Sequence, residues 1–448
     1  MQNKLIQYFK DKKIIILGFG REGKSTYNFI RKYLPEQEIT IGDQSEDFDH
    51  SIIENDKNVS IITGPNYLDN LEDFDIIMKA PGVSFKDIDV TPFEDKLMSQ
   101  MELLLEFVDI HTIGITGSKG KSTTCSLMYQ VLLDQGKDAL LLGNIGVPIF
   151  DYIDNFTPET YLVLEMSSHQ LEFMNASPNI AAVLNIFEEH LDHYKSFENY
   201  ANAKANIFMS QKKDDVFFYN GDIDLVKELA KKSPSKGLEV CFTTEDSNAA
   251  LYIKGDDIFY KDKKIYSRQN KRNLLGDYSL NNIMFVLGIS EYLGLDLDKT
   301  IKTISEFNGL RHRLQFVGKV NGVSYFDNSI ATIPEATIEA VKALDNKVDT
   351  LIIGGMDRGI DYSKFDTYLV ESNIKNIICM PKTGHDTAKK LPVDKKYVVD
   401  TLEDAVKVAK RVTPKGGICL LSPAAASYGF FKNFEEKGDI YQDLVLNG

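Results

Sequence analysis

The chain has 448 residues, enough for about three domains at roughly 150 residues each. Its formal charge of -15 argues against nucleic acid as a main partner, because phosphate backbones attract basic surfaces. Its four cysteines, Cys125, Cys241, Cys379 and Cys419, have neither zinc-type nor disulfide-type spacing, and no stretch reaches the ~20 apolar residues of a membrane span. With no signal-like run at the N-terminus, a cytoplasmic protein without membrane insertion is expected.

The first hundred residues alternate short apolar runs with helical patterns, which predicts a parallel sheet covered by helices. Strands are predicted at 13–17 (KIIIL), 38–41 and 75–78, with a helix over 23–33. Gly18, Gly20 and Gly23 follow the first strand in a G-x-G-x-x-G pattern. Asp43 stands about 20 residues further on, the spacing of a dinucleotide fingerprint. The pattern implies a diphosphate at a helix N-terminus, and a UDP-sugar offers that group as well as NAD does. A tight turn without ligand is the plainer reading.

A second unit opens at 111–116 (HTIGIT), a strand leading into TGSKGKSTT at 116–124 and a helix over 122–133. This is the setting of a phosphate-binding loop, in which helix N-terminal amides face an anion. Gly117, Ser118, Lys119, Gly120, Lys121, Ser122 and Thr123 are its candidate ATP-binding residues. Gly117 and Gly120 allow close approach, Lys121 would reach the outer phosphates, and Ser122 would help hold magnesium. The general pattern puts its first glycine where this chain has Ile115. An ordinary strand-to-helix glycine turn is the competing reading.

Further strands are predicted at 139–142, 161–165, 181–185 and 217–220, and hairpins over 251–266. Glu165 ends one strand, and NIFEEHLDH at 185–193 follows another. Acids and histidines at the carboxyl ends of strands beside a phosphate loop suit magnesium. Lys204 lies on the next helical stretch. Taken singly, each has a bland reading: Glu165 as a helix cap, His193 as a surface residue, Lys204 as a solvated lysine. A third unit begins near 310, with a hairpin turning at Asn321-Gly322 and strands at 350–353, 376–379 and 417–421.

These motifs together resemble the Mur ligases, which build the peptide stem of bacterial peptidoglycan. The resemblance spans the whole chain and is strongest to the branch that adds glutamate to UDP-N-acetylmuramoyl-L-alanine. It rests on TGSKGKSTT, GNIGVP at 143–148, LEMSSHQLE at 164–172 and LLSPAAASYGFFKNFEEKG at 420–438. It implies an α/β protein of three domains. These are a Rossmann-like UDP-binding domain (1–107), a central P-loop ATPase domain with a parallel sheet (108–309) and a Rossmann-like amino-acid domain (310–448). It further implies an ADP-forming ligase acting through an acyl phosphate, and a monomer.

The family's residue roles carry over by position. Lys121 and Ser122 would bind ATP and the first Mg2+, Glu165 would ligate magnesium, and His190 would ligate a second Mg2+. Lys204 matches a lysine that the family carries as a carbamate. Asn282 would lie near the adenine and Arg313 at the ATP phosphates. Gly18, Arg21, Glu22, Asp43, Asn144 and Ser167 would meet the UDP-substrate. Thr332, Arg358, Ser427 and Phe434 would surround the incoming glutamate.

Three departures stand out. Tyr278-Ser279 replaces a frequent His-Asn, Arg358 replaces a lysine, and Ile330 replaces the lysine of D-S-K-A-T-N. A variant branch that adds L-glutamate resembles the Ser-Ile-x-Thr pattern seen here, so D- and L-glutamate both stand as acceptors. A folylpolyglutamate-type ligase, an NAD-dependent dehydrogenase and a non-catalytic ATP-binding protein are the alternatives.

Overall fold

A computed structural model describes the chain apart from Met1, Asp87, Gly146, His190, residues 243–248, Leu275 and Gly276, and apart from the side chains of Leu191, Asp192, Asp277 and Tyr278. It is an α/β protein with three sheets. The first contains β1 (Ile14–Leu17), β2 (Ile39–Asp43), β3 (Val59–Thr63), β4 (Ile76–Lys79) and β5 (Leu97–Met98). Its order is β3-β2-β1-β4-β5, and every pairing is parallel. β1 and β4 are buried along their whole length, as the IIIL and IIMK runs require of strands covered on both faces.

The second sheet contains β6 (His111–Thr116), β7 (Ala139–Gly143), β8 (Tyr161–Glu165), β9 (Ile180–Val183), β10 (Val216–Asn220) and β11 (Lys236–Val240). It continues with β12 (Leu251–Lys254), β13 (Asp257–Tyr260) and β14 (Lys263–Ser267). Its order is β14-β13-β12-β11-β10-β9-β6-β8-β7. From β7 to β12 the pairings are parallel, and β12 to β14 form an antiparallel meander. Asn185 falls outside the sheet, because β9 ends at Val183.

The third sheet contains β15 (Gln315–Val320), β16 (Val323–Asp327), β17 (Val348–Gly355), β18 (Asn376–Lys382), β19 (Lys396–Val398) and β20 (Ile418–Leu421). Its order is β15-β16-β20-β17-β18-β19. The hairpin β15–β16 is antiparallel and the other pairings are parallel. Asn321 and Gly322 both have positive φ (52° and 85°), which a two-residue hairpin turn demands.

The chain packs as two compact units. One is Met1–Gln269 with Asn281–Thr303, and the other is Asn270–Leu280 with Ile304–Gly448. The first unit holds the first two sheets, whose helices share one apolar cluster running from Leu5 and Phe9 to Phe150 and Phe217. The second unit holds the third sheet between two clusters, one around Leu351 and Phe365, the other around Ile352 and Tyr441.

Candidate functional site

In the first unit the site is built where β6, β8 and β9 end side by side. β6 runs into the loop 117–120 and then the helix Lys121–Asp134, capped by Gly120. Gly120 has φ 87°, and a Cβ there would overlap Oδ1 of Asn282. Asn282 is buried and therefore lies against the loop. The loop is pinned by the segment that follows β9. Asn185 Oδ1 accepts from Lys119 N (2.8 Å), and Asn185 Nδ2 donates to Lys119 O (3.0 Å). Ser118 Oγ accepts from Phe187 N (2.9 Å) and lies 2.8 Å from Tyr200 OH. Ile115, at the place of the general pattern's first glycine, is a buried strand residue paired with Glu165 and Ala182. Ser122 is buried and Thr123 half-buried in the first helical turn.

Two ammonium groups converge on this loop. Lys121 Nζ donates to Gly117 O (2.8 Å) and Ser118 O (3.0 Å). Lys204, on the helix Phe197–Met209, also donates to Gly117 O (2.9 Å). Lys204 is only 1% exposed, with Nζ 4.9 Å from the Tyr200 ring centre. Burial, aided by the Lys121 charge, pulls its pKa down to about 7 against the opposing pull of Glu189 and Glu165. The plain reading of Lys204 as a solvated lysine is thereby excluded.

Glu165 is 1% exposed at the end of β8. One carboxylate oxygen accepts from Asn144 Nδ2 (2.9 Å); the other, Oε2, is buried with no hydrogen-bond partner among the described residues. Such an oxygen carries a desolvation cost that a cation would offset. Among the described residues no three His, Cys, Asp or Glu side chains converge as a metal group. His190 lies outside the described residues.

A cleft of about 420 Å³ brings together Lys121, Asn144, Ser167 and Lys204, with Pro81 and Gly82 from the loop after β4. Ser167 caps the helix Ser168–Leu171 in a reciprocal capping box with Gln170. His193 also lines the cleft. It is not a surface residue: Nε2 pairs with Glu172 (2.9 Å) and Nδ1 lies 3.2 Å from Ser84 Oγ. Sequence reasoning missed Pro81, Gly82 and Tyr200. The Pro-Gly after β4 stands at a strand's carboxyl end, the signal that could have found it.

The N-terminal glycine turn is organised differently. Gly18 N donates to Gly42 O (2.8 Å), and Asp43 accepts from Phe19 N (2.8 Å) and Ser45 N (2.9 Å). Asp43 is thus a clamp on the turn itself. Arg21 is exposed and Glu22 half-buried at the start of the helix Arg21–Tyr33. Burial raises the Glu22 carboxyl to about 7, opposed by Lys79 and by a backbone hydrogen bond from Gln100. Lys79, which sequence reasoning did not single out, is a buried cation at the end of β4. Its Nζ lies 5.8 Å from each of the Phe85 and Phe173 ring centres. Burial lowers its pKa, while Glu172 and Glu22 pull it up.

In the second unit, the segment before β15 and the loops after β16, β17 and β20 carry the remaining candidates. Met356 N donates to Ala426 O (2.8 Å), which sets the segment leading to the exposed Arg358 beside that leading to Ser427. Ser427 is 3% exposed, and its Oγ has no partner among the described residues. Phe434 is half-buried and edge-on to His312 at 6.2 Å. His312 Nδ1 pairs with Asp327 Oδ2 (2.8 Å), next to the exposed Arg313. Asn328 donates to Ser422 Oγ (3.0 Å) and accepts from Leu314 N (3.1 Å). Ile330 and Thr332 follow, both half-buried.

Comparison with known proteins agrees with this architecture. The Mur ligase middle domain family matches residues 115–290. The chain is 32% identical to the UDP-N-acetylmuramoylalanine--D-glutamate ligase of Ligilactobacillus salivarius, over 99% of this chain and 98% of that one. It is also 32% identical to the ligase of the same name from Clostridioides difficile, covering 98% and 99%. Two solved structures from Thermotoga maritima share the fold. They are UDP-N-acetylmuramate-alanine ligase MurC (TM-score 0.55, 18% identity, covering 96% and 98%) and MurF ligase in complex with ADP (0.54, 18%, 98% and 96%). At that identity they speak for the fold alone. With the full-length relatives and the matched central segment, the chain belongs to the Mur ligase family.

Proposed function

We propose that the protein is an ATP-dependent ligase that joins glutamate to the L-alanine carboxylate of UDP-N-acetylmuramoyl-L-alanine, releasing ADP and phosphate. The observation that carries this reading is the meeting of Lys121 and Lys204 on one loop carbonyl beside a buried, half-partnered Glu165. Such a site is suited to phosphoryl transfer, in which positioning and charge do most of the catalysis. The names of the full-length relatives support D-glutamate as the acceptor.

In this reading the loop amides from Gly117 to Thr123 and the Lys121 ammonium hold the ATP phosphates, with Asn282 and Arg313 as further nucleotide contacts. The substrate carboxylate attacks the γ-phosphorus, ADP leaves, and an acyl phosphate forms. The glutamate amine, held by Thr332, Arg358, Ser427 and Phe434, then attacks the acyl carbon and expels phosphate. Gly18, Arg21, Glu22, Asp43, Asn144 and Ser167 hold the UDP-substrate.

The Glu165 oxygen without a partner among the described residues fits a divalent cation, and Ser122, Glu165, His190 and Lys204 would hold Mg2+ in two sites. Bound there, it would neutralise phosphate oxygens. A lysine amine close to neutrality reacts with CO2: an N–C bond forms, one proton leaves, and the carbamate oxygens can ligate a cation. We assign that modification to Lys204. The working division of the chain is a UDP-substrate domain over 1–107, an ATP domain over 108–309 and an acceptor domain over 310–448. Among the described residues no helix is long and apolar enough to cross a membrane.

The test is phosphate release by the purified chain. It should require ATP, UDP-N-acetylmuramoyl-L-alanine and glutamate together; release that ignores either co-substrate overturns the reading. Ile330, standing where the D-glutamate pattern has lysine, favours a second reading with L-glutamate. Supplying the two enantiomers separately decides between them.

A further inference from the structure

The second unit carries a buried cation that the proposed reaction does not use. Lys437, in the first turn of the helix Phe434–Leu446, is 1% exposed. Its Nζ donates to one neutral acceptor, Gly354 O at 3.2 Å, and lies 5.3 Å from the Phe431 ring centre. The charge that favours its ammonium form is Asp327. That carboxylate is already engaged: it accepts from Ser329 N (2.9 Å) and Gln442 Nε2 (2.8 Å) and pairs with His312 (2.8 Å). Burial outweighs the attraction and brings the Lys437 pKa down to about 8. An ammonium with three donors and one weak acceptor is poorly compensated for its lost hydration.

Lys437 also lines a cavity of about 230 Å³, together with Gly354 and Gly355 at the end of β17, Phe430, Phe431 and Thr401. The cavity walls are mainly apolar, and the charged groups are Lys437, which is buried, and Asp400, whose side chain is 88% exposed to solvent; the buried ammonium suits a carboxylate on a short methylene chain. Its position is tied to the acceptor loops. Gly355 leads directly into Met356, which bonds Ala426, and Phe431 N donates to Ser427 O (3.1 Å). Ser427 contributes a buried hydroxyl without a partner among the described residues. Meanwhile Ile330 leaves this side of the molecule one cation short of the D-S-K-A-T-N pattern.

We infer that Lys437 receives the side-chain carboxylate of the acceptor glutamate, and that it sets the preference for glutamate over uncharged amino acids of similar length. This rests on the ligase reading above. The methylenes of the acceptor would lie on Phe430 and Phe431 while its carboxylate meets the ammonium. The ion pair would form at a buried ammonium, where charge-assisted hydrogen bonds are strong.

The experiment uses the full chain with Lys437→Met and Lys437→Arg, following phosphate release with ATP and the UDP-substrate. Lys437→Met should raise the KM for glutamate on the order of 30-fold or more. The KM values for ATP and for the UDP-substrate should stay where they are. Its preference for glutamate over 2-aminopentanoate should collapse, while Lys437→Arg retains most of that preference. If Lys437→Met melts early, Lys437→Gln carries the test, because it keeps a donor to Gly354 O without the charge. An unchanged glutamate KM and unchanged preference in a folded, uncharged variant overturn the assignment and leave the ligase reading intact. A wild-type protein that releases no phosphate with glutamate overturns the ligase reading itself.

Discussion

The first unit contains two strand-to-helix glycine turns of nearly the same backbone design, and they are set up for different work. Gly18 and Gly120 both adopt positive φ, 82° and 87°. The first turn is locked by an acid, Asp43, and has a half-buried acid, Glu22, facing the buried cation Lys79. The second is locked by neutral groups, Asn185 and Ser118, and receives two ammonium groups. A backbone nest binds an anion in either case. Only the second brings two cations together beside a half-partnered carboxylate, which suits it to a more highly charged anion.

The comparison breaks most sharply at the cations. Lys121→Ala and Lys204→Ala should each lower kcat for phosphate release on the order of 10²–10³-fold or more, the scale for one lost electrostatic donor. A modest loss would mean that the second turn, too, only holds its ligand. The next test exchanges the turns' roles. Gly120→Ala forces a side chain into the left-handed region and onto Asn282, at a cost of about 1–3 kcal/mol, and should raise the KM for ATP. Gly18→Ala should raise the KM for the UDP-substrate and spare that for ATP. Equal effects on both KM values would erase the distinction.

Smaller effects sharpen it. Glu165→Gln keeps an acceptor for Asn144 and replaces by an amide the buried oxygen that has no partner among the described residues. It should abolish phosphate release while the melting temperature stays close to that of the wild type, because the Asn144 contact is kept. Glu22 has the opposite character. Its folded pKa of about 7 lies above the ordinary 4.5, so the folded state binds the proton more tightly. The penalty for ionising it is absent below about pH 4.5, grows between 4.5 and 7, and is complete above 7, at an upper bound of ~3 kcal/mol. Glu22→Gln should therefore raise the melting temperature at pH 8 and leave it unchanged at pH 4.

Most of the strands were legible because their runs are apolar on both faces. The exceptions have physical causes. β3 (VSIIT) is an edge strand with Ile61 49% exposed, and β11 (KGLEV) carries Lys, Gly and Glu in place of a hydrophobic run. The phosphate loop was legible because strand, glycines, Lys-Ser and helix are contiguous. Glu165 and Lys204 could be placed near it only through the order of strand ends and the family resemblance. Lys79 and Lys437 were not legible at all. Each looks like an ordinary lysine, and what makes it unusual comes from residues distant in sequence: Glu172 for Lys79, Gly354 for Lys437. The clamp role of Asp43 was hidden for a different reason, since the spacing that suggests a ribose contact also suits a bond to its own turn.

One carbonyl oxygen, that of Gly117, accepts from both Lys121 and Lys204. The Lys121 charge beside it disfavours protonation of Lys204, so the basicity of Lys204 depends on where Lys121 sits. Any anion that draws Lys121 off that oxygen would relieve Lys204 of a competitor and make it more basic. The neutral form of Lys204 is therefore favoured while Lys121 rests on that carbonyl. A single oxygen atom thus couples the placement of one lysine to the basicity of another.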